Sequence, residues 1–85
     1  MISEDVRTFI VNSFLFGSEV PFSDEDSFIE KNLVDSTGML ELISFIEARY
    51  NISVLEEEII PENLDSVRRV SEFVAKKLSS VVQRT

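Results

Sequence analysis

The sequence predicts an all-α fold: a small four-helix bundle with three longer helices, one short third helix and a long first loop. Three observations predict it. Apolar residues recur with helical period in three separate segments, only two Gly and two Pro interrupt the 85 residues, and the one β-like alternation, Ile52 and Val54, is too short to found a sheet. A content of 44% hydrophobic residues suits a globular chain rather than a disordered one, and the length allows one domain, 1–85, around one modest core.

The first helix is expected from Ser3 to Phe16, where Val6, Phe9, Ile10 and Phe14 share one face. Ser3 is its expected N-cap, Glu4 and Asp5 suit the positive end of the helix dipole, and Gly17 closes it. The connection from Ser18 to Val34 is too long for an ordinary loop, so Phe22, Phe28 and Leu33 are expected to pin it to the core. A second helix from Ser36 to Tyr50 carries the stripe Met39, Leu42, Ile43, Ile46 and Tyr50, with Asp35 or Ser36 accepting the orphan N–H groups of its first turn. Glu56 to Ile60 fits one short helical turn stopped by Pro61. The last helix, from Ser66 to Val82, aligns Val67, Val70, Phe73, Val74, Leu78 and Val81 and is capped by Asp65 or Ser66. Phe9, Phe14 and Phe73 lie on these stripes and read as core filling.

Net charge is −8, and its distribution says more than its total. Segments 17–35 and 52–66 each carry −5, whereas 67–85 carries +4 and holds five of the eight basic residues. The acid flanks the second helix on both sides, so the field there attracts basic protein surfaces and repels nucleic acid. The cations of the last helix (Arg68, Arg69, Lys76 and Lys77) and Arg84 lack interleaved aromatics and read as a solvated face with i,i+4 partners.

There is no His, Cys or Trp, which removes Ser/His/Asp and Cys/His nucleophilic sites, the usual zinc sites and any disulfide. Ser23 to Ser27 is acidic but lacks the ligand spacing and central Gly of an EF-hand, and no metal site is expected. The first residues carry Glu4, Asp5 and Arg7 rather than a basic start and an unbroken apolar run, so a cytoplasmic, monomeric protein without membrane insertion is expected.

Ser36 is the best candidate for chemistry, because its hydroxyl stands where a loop becomes a helix. With no internal base to activate it, another protein must do so, and the chain itself is not expected to be an enzyme. Taken alone, Asp35-Ser36 reads as an ordinary capping pair, since Asp and Ser are favoured there for hydrogen bonding.

Beyond that pair, nearly the whole chain resembles the acyl carrier proteins and the related peptidyl and aminoacyl carrier domains. The likeness rests on Asp35-Ser36 ahead of the second helix, Glu41-Leu42, Glu47 and Tyr50 within it, the short acidic third segment, and Asn63-Leu64-Asp65-Ser66-Val67. It implies that Ser36 carries a 4'-phosphopantetheine arm delivered from coenzyme A by a magnesium-dependent phosphopantetheinyl transferase, which Asp35 helps to bind metal and orient the serine. It implies further that the arm's thiol holds an acyl or aminoacyl group as a thioester, loaded by an activating ligase and passed to downstream transferases with basic docking surfaces.

Where fatty-acid carriers read Asp-Ser-Leu and then an acidic residue, this chain has Thr37 and Gly38, a form more like stand-alone carriers of specialised pathways, including aminoacyl carriers. Thr37, Leu40, Glu41, Ser44 and Glu47 point away from the core stripe. Thr37, Leu40, Glu41 and Glu47, with Glu56 and Glu57, form the expected partner surface, Leu40 being an apolar anchor within a charged rim. The alternative is an unmodified acidic helical adaptor, in which Ser36 is only a cap.

Overall fold

Helix α1 covers Ile2–Phe14, in a computed structural model that describes residues 1–15 and 21–83. Val6 and Ile10 are fully buried, as the stripe predicts. Ser3 does not cap the helix: Asp5 donates its N–H to the Met1 carbonyl at 3.1 Å, which draws the start back to Ile2 with no side-chain cap. The helix ends at Phe14, and Leu15 stays right-handed while donating to the Val11 carbonyl. Gly17, the expected stop, lies outside the described residues.

Helix α2 covers Ser36–Tyr50 and buries Leu42, Ile43 and Ile46. Asn51 ends it in the left-handed conformation, at φ 55°, which an asparagine tolerates better than most side chains.

The acidic segment differs from its prediction. Glu56–Glu58 makes a 3-10 turn, and Pro61 opens a separate four-residue helix, α3 (Pro61–Leu64), rather than merely stopping one. Proline at the first helical position needs no N–H partner and has its φ already set, so the residue read as a stop acts as a start.

Helix α4 covers Val67–Gln83 and packs mainly on α1 and α3, burying Val67, Val70, Phe73 and Val74. Of its two expected caps, Ser66 serves: its Oγ accepts from the Arg69 N–H at 3.0 Å. Among the described residues the regular structure is entirely helical, and no helix is long and apolar enough to cross a membrane.

The first loop is held as expected by Phe22, Phe28 and Leu33, all buried. Polar ties add to them. Arg7 on α1 lies over the Phe22 ring at 4.1 Å, donates to the Phe22 carbonyl and pairs with Asp24 at 2.9 Å. On the far side, Arg68 donates its backbone N–H to the Asp24 carbonyl at 2.9 Å, and Phe28 donates its own to the Asp65 carbonyl at 2.9 Å.

Two of the four cations of α4, Arg68 and Lys77, meet acidic partners within the chain. Arg68 meets Glu25 at 3.2 Å and Glu72 at 3.3 Å, the latter an i,i+4 pair, and Lys77 meets Glu58 at 2.8 Å. The Lys77 pair ties the acidic 3-10 turn to α4, and the Glu58 carboxyl is held below the ordinary glutamate range, through the Lys77 hydrogen bond first and the Leu55 N–H second.

Tyr50 joins α2 to α1, its hydroxyl donating to Asp5 Oδ2 at 2.9 Å while Arg49 reaches the same oxygen at 3.2 Å. Burial, then the hydrogen bond to Asp5, pushes the phenol up from 10.0 to about 12. The fold favours the neutral phenol, so its stabilisation is complete below the unfolded value and fades as pH rises through about 12. With one Tyr and no Trp, an absorbance titration of phenolate reads this residue alone. The expected midpoint is about 12; a midpoint at the ordinary value in the folded protein would mean that the ring is neither buried nor bonded to Asp5.

Candidate functional site

Asp35 holds an extended conformation ahead of α2 and accepts the Gly38 N–H on Oδ1 at 2.7 Å, while its carbonyl accepts the Met39 N–H at 2.8 Å. Of the two residues able to cap this helix, Asp35 therefore does so. Ser36, the first helical residue, is exposed, and among the described residues no hydrogen bond engages its Oγ. The hydroxyl is thus spare: it stands at the N-terminal end of a 15-residue helix with no structural duty.

Gly38 gives the site its floor. It is buried in the first turn of α2, and a Cβ there would lie 2.8 Å from Phe14 Cε1 and 3.1 Å from both Asp35 Oδ1 and Val34 Cγ1. The glycine lets the Phe14 ring slide beneath the start of α2, where Phe14 meets Phe9 edge-on at 5.7 Å and Phe9 stacks on Phe45 at 4.4 Å. Read from sequence, Gly38 marked only a missing charge. A glycine inside a helix, which costs about 1 kcal/mol relative to alanine, was the available sign of close packing.

Two grooves flank the outer face of α2. One, of about 510 Å³, is lined by Ile29, Asn32 and Val34 from the loop, Asp35, Ser36, Met39 and Leu40 from the start of α2, and Ile59 beyond the 3-10 turn. The other, of about 570 Å³, lies toward α1 between Phe9, Phe45, Thr37, Leu40, Glu41 and Ser44. Leu40, 62% exposed, borders both. The first groove is a largely apolar trough that begins at the Ser36 hydroxyl, and its walls suit a slender, mostly uncharged chain attached there.

The expected surface residues divide. Thr37, Leu40 and Glu41 are exposed beside Ser36, and Glu56 and Glu57 are exposed on the turn that leads to Ile59. Glu47 is elsewhere: it lies about 16 Å farther along α2 by helical rise, is half-buried, and accepts the Val54 N–H on Oε2 at 2.9 Å. Its carboxylate braces the chain after α2. Sequence reading missed Ile29 and Ile59, 58% and 40% exposed, both of which line the groove. Their signal was faint, since isolated surface isoleucines are ordinary. Asn32 was missed as well; it adopts φ 55° and turns the loop toward Val34 and Asp35.

No protein-family model matches this chain. It is 25% identical over 76 residues to the probable acyl carrier protein PigG of Serratia sp. (strain ATCC 39006), a similarity spanning 89% of this chain and 87% of that protein. In three dimensions it is similar to a chain in a solved structure titled as the crystal structure of an FAD-dependent dehydrogenase, with a TM-score of 0.72 and 26% identity over 81% of this chain and 97% of that one. The sequence likeness supports a relationship to carrier proteins, carried along most of the chain rather than by a short motif.

Proposed function

We propose that this chain is a carrier protein that holds an acyl or aminoacyl group as a thioester on a 4'-phosphopantetheine arm attached to Ser36. The observation that carries the reading is the spare hydroxyl: Asp35 alone caps α2, and Ser36 is exposed at the mouth of an apolar groove. The similarity to a probable acyl carrier protein over 89% of the chain supports the same reading.

In the modification step Ser36 Oγ attacks the pantetheine-side phosphorus of coenzyme A and forms a new O–P bond. The phosphoanhydride P–O bond breaks, 3',5'-ADP leaves with the electron pair, and the hydroxyl proton passes to a base of the phosphopantetheinyl transferase, since no His or Cys of this chain can take it. Once attached, the arm supplies the thiol that the cysteine-free polypeptide lacks. The free N–H groups at the start of α2 tolerate the phosphodiester charge, and Asp35, with Oδ1 committed to the cap, would have Oδ2 left to serve as a ligand to the transferase metal. Glu41, Glu56 and Glu57 form the acidic rim for partners with basic surfaces, around Leu40 as the apolar anchor. Catalysis resides in those partners.

Incubation with coenzyme A, magnesium and a broad-specificity phosphopantetheinyl transferase, followed by intact mass measurement, tests the reading. A gain of one phosphopantetheine is expected; an unchanged mass leaves the acidic adaptor.

Among downstream enzymes we place a flavin-dependent dehydrogenase first, because a similar chain occurs in a structure titled for one. Such an enzyme takes two electrons and two protons from the tethered cargo onto its flavin. Its flavin absorbance is expected to bleach on mixing with cargo-loaded protein, and a flavin that stays oxidised with every loaded form removes this partner class.

A further inference from the structure

Asp65 is used up by the first loop. Its Oδ2 accepts the Ser27 hydroxyl at 2.5 Å and its Oδ1 accepts the Ile29 N–H at 3.2 Å, across 38 and 36 residues of sequence. Ser27 Oγ in turn accepts the Glu30 N–H at 3.1 Å. The segment has no long helix of its own to fix it, and what it carries matters: Ile29 and Val34 wall the groove at Ser36, and Val34 leads directly into the Asp35 cap. Phe28, between the two tied residues, accepts the Leu33 N–H at 2.8 Å and so passes the anchorage on toward Val34.

Resting on the carrier reading, we infer that Asp65 is a positioning residue for Ser36: its carboxylate fixes the loop that forms one wall of the modification site. It does not act by contact. Asp65 borders a different depression, with Ser27, Glu30 and Arg69, and lines neither groove beside α2. Its effect passes through Ser27 and Ile29 into the loop. Charge suits the task, because an ionised carboxylate accepts on both oxygens, and both partners here are donors. Loss of the ties leaves Phe28 buried and its N–H on the Asp65 carbonyl, which no side-chain substitution removes. The bundle therefore persists while the wall loosens, and the fraction of molecules presenting the docking-competent site falls, raising the apparent dissociation constant in inverse proportion.

The test is the steady-state kinetics of phosphopantetheinylation with this chain as the varied substrate. Asp65→Ala is expected to raise KM about tenfold with kcat within about twofold of wild type, and to speed amide exchange at Ile29 and Glu30. Asp65→Asn keeps an acceptor for the Ile29 N–H and recovers most of the KM, while Ser27→Ala falls between the two. Ile46→Val, a core change ten residues along α2 from Ser36 that leaves the Asp65 ties in place, is the control: it lowers the unfolding midpoint and leaves KM unchanged. Should Asp65→Ala fail to fold, Ser27→Ala, which removes the tie to Oδ2, decides the matter by its KM. Wild-type KM in Asp65→Ala and Ser27→Ala, or an equal rise in Ile46→Val, overturns the positioning role while the carrier reading stands. A wild-type chain that gains no mass removes both.

Discussion

Ser36→Ala is expected to fold as the wild type does and to gain no mass under conditions that modify the wild type completely. The first half follows from position: Ser36 is exposed, its Oγ has no partner among the described residues, and the cap belongs to Asp35, so alanine at the first helical position removes nothing structural. The second half follows from chemistry, since no other nucleophile reaches the same place; Thr37 is adjacent but lines the groove on the α1 side rather than the one at Ser36. Asp35→Asn separates the two duties of the aspartate. Its amide oxygen still accepts the Gly38 N–H, so α2 stays capped, while the charge offered to the transferase metal is lost, and modification is expected to slow about 10- to 100-fold. Modified Ser36→Ala would move the site elsewhere, and an unfolded Ser36→Ala would make the serine a structural cap after all.

Phe28→Ala is expected to give the largest loss of stability. The ring is fully buried, its residue donates to the Asp65 carbonyl, and its own carbonyl accepts the Leu33 N–H, so it is both core side chain and backbone hub of the loop. Truncating a buried phenylalanine costs about 3–5 kcal/mol, transfer and cavity effects together. Domains of this size are stable by about 5–10 kcal/mol in all, so the variant retains a small part of its margin. Urea unfolding measures this directly. A loss below about 1.5 kcal/mol would show that the loop packs its ring far more loosely than its burial indicates.

The three long helices were legible in the sequence because each repeats its apolar residues over three or more turns, and burial of one face then dictates both helix and orientation. Their ends were less so. Ser3 had the chemistry of a cap, yet the Met1 carbonyl was already placed to accept the first intrahelical bond. Pro61 illustrates the same ambiguity, since a residue that cannot continue a helix is also one that starts a helix without loss. In the loop, Phe22, Phe28 and Leu33 were readable as pins because large apolar residues must go inward. Asp65 was not, because its partners lie more than thirty residues away and nothing local distinguishes a carboxylate that caps a helix from one that reaches a loop. At the site, Ser36 and Asp35 could be named from sequence but their division of labour could not, as both side chains suit the cap. Glu47 looked outward by helical angle and yet is drawn to the Val54 N–H.

Leu40 stands as the shared bank of a trough on one side and a wide, shallow depression on the other. On the carrier proposal, a visiting side chain that settles over it from either flank shades the opposite flank too, so two clients are expected not to grip this stretch of α2 together. Under the carrier reading, cargo must then move by departure and recapture, one visitor at a time, and the order of events is set by how quickly each lets go.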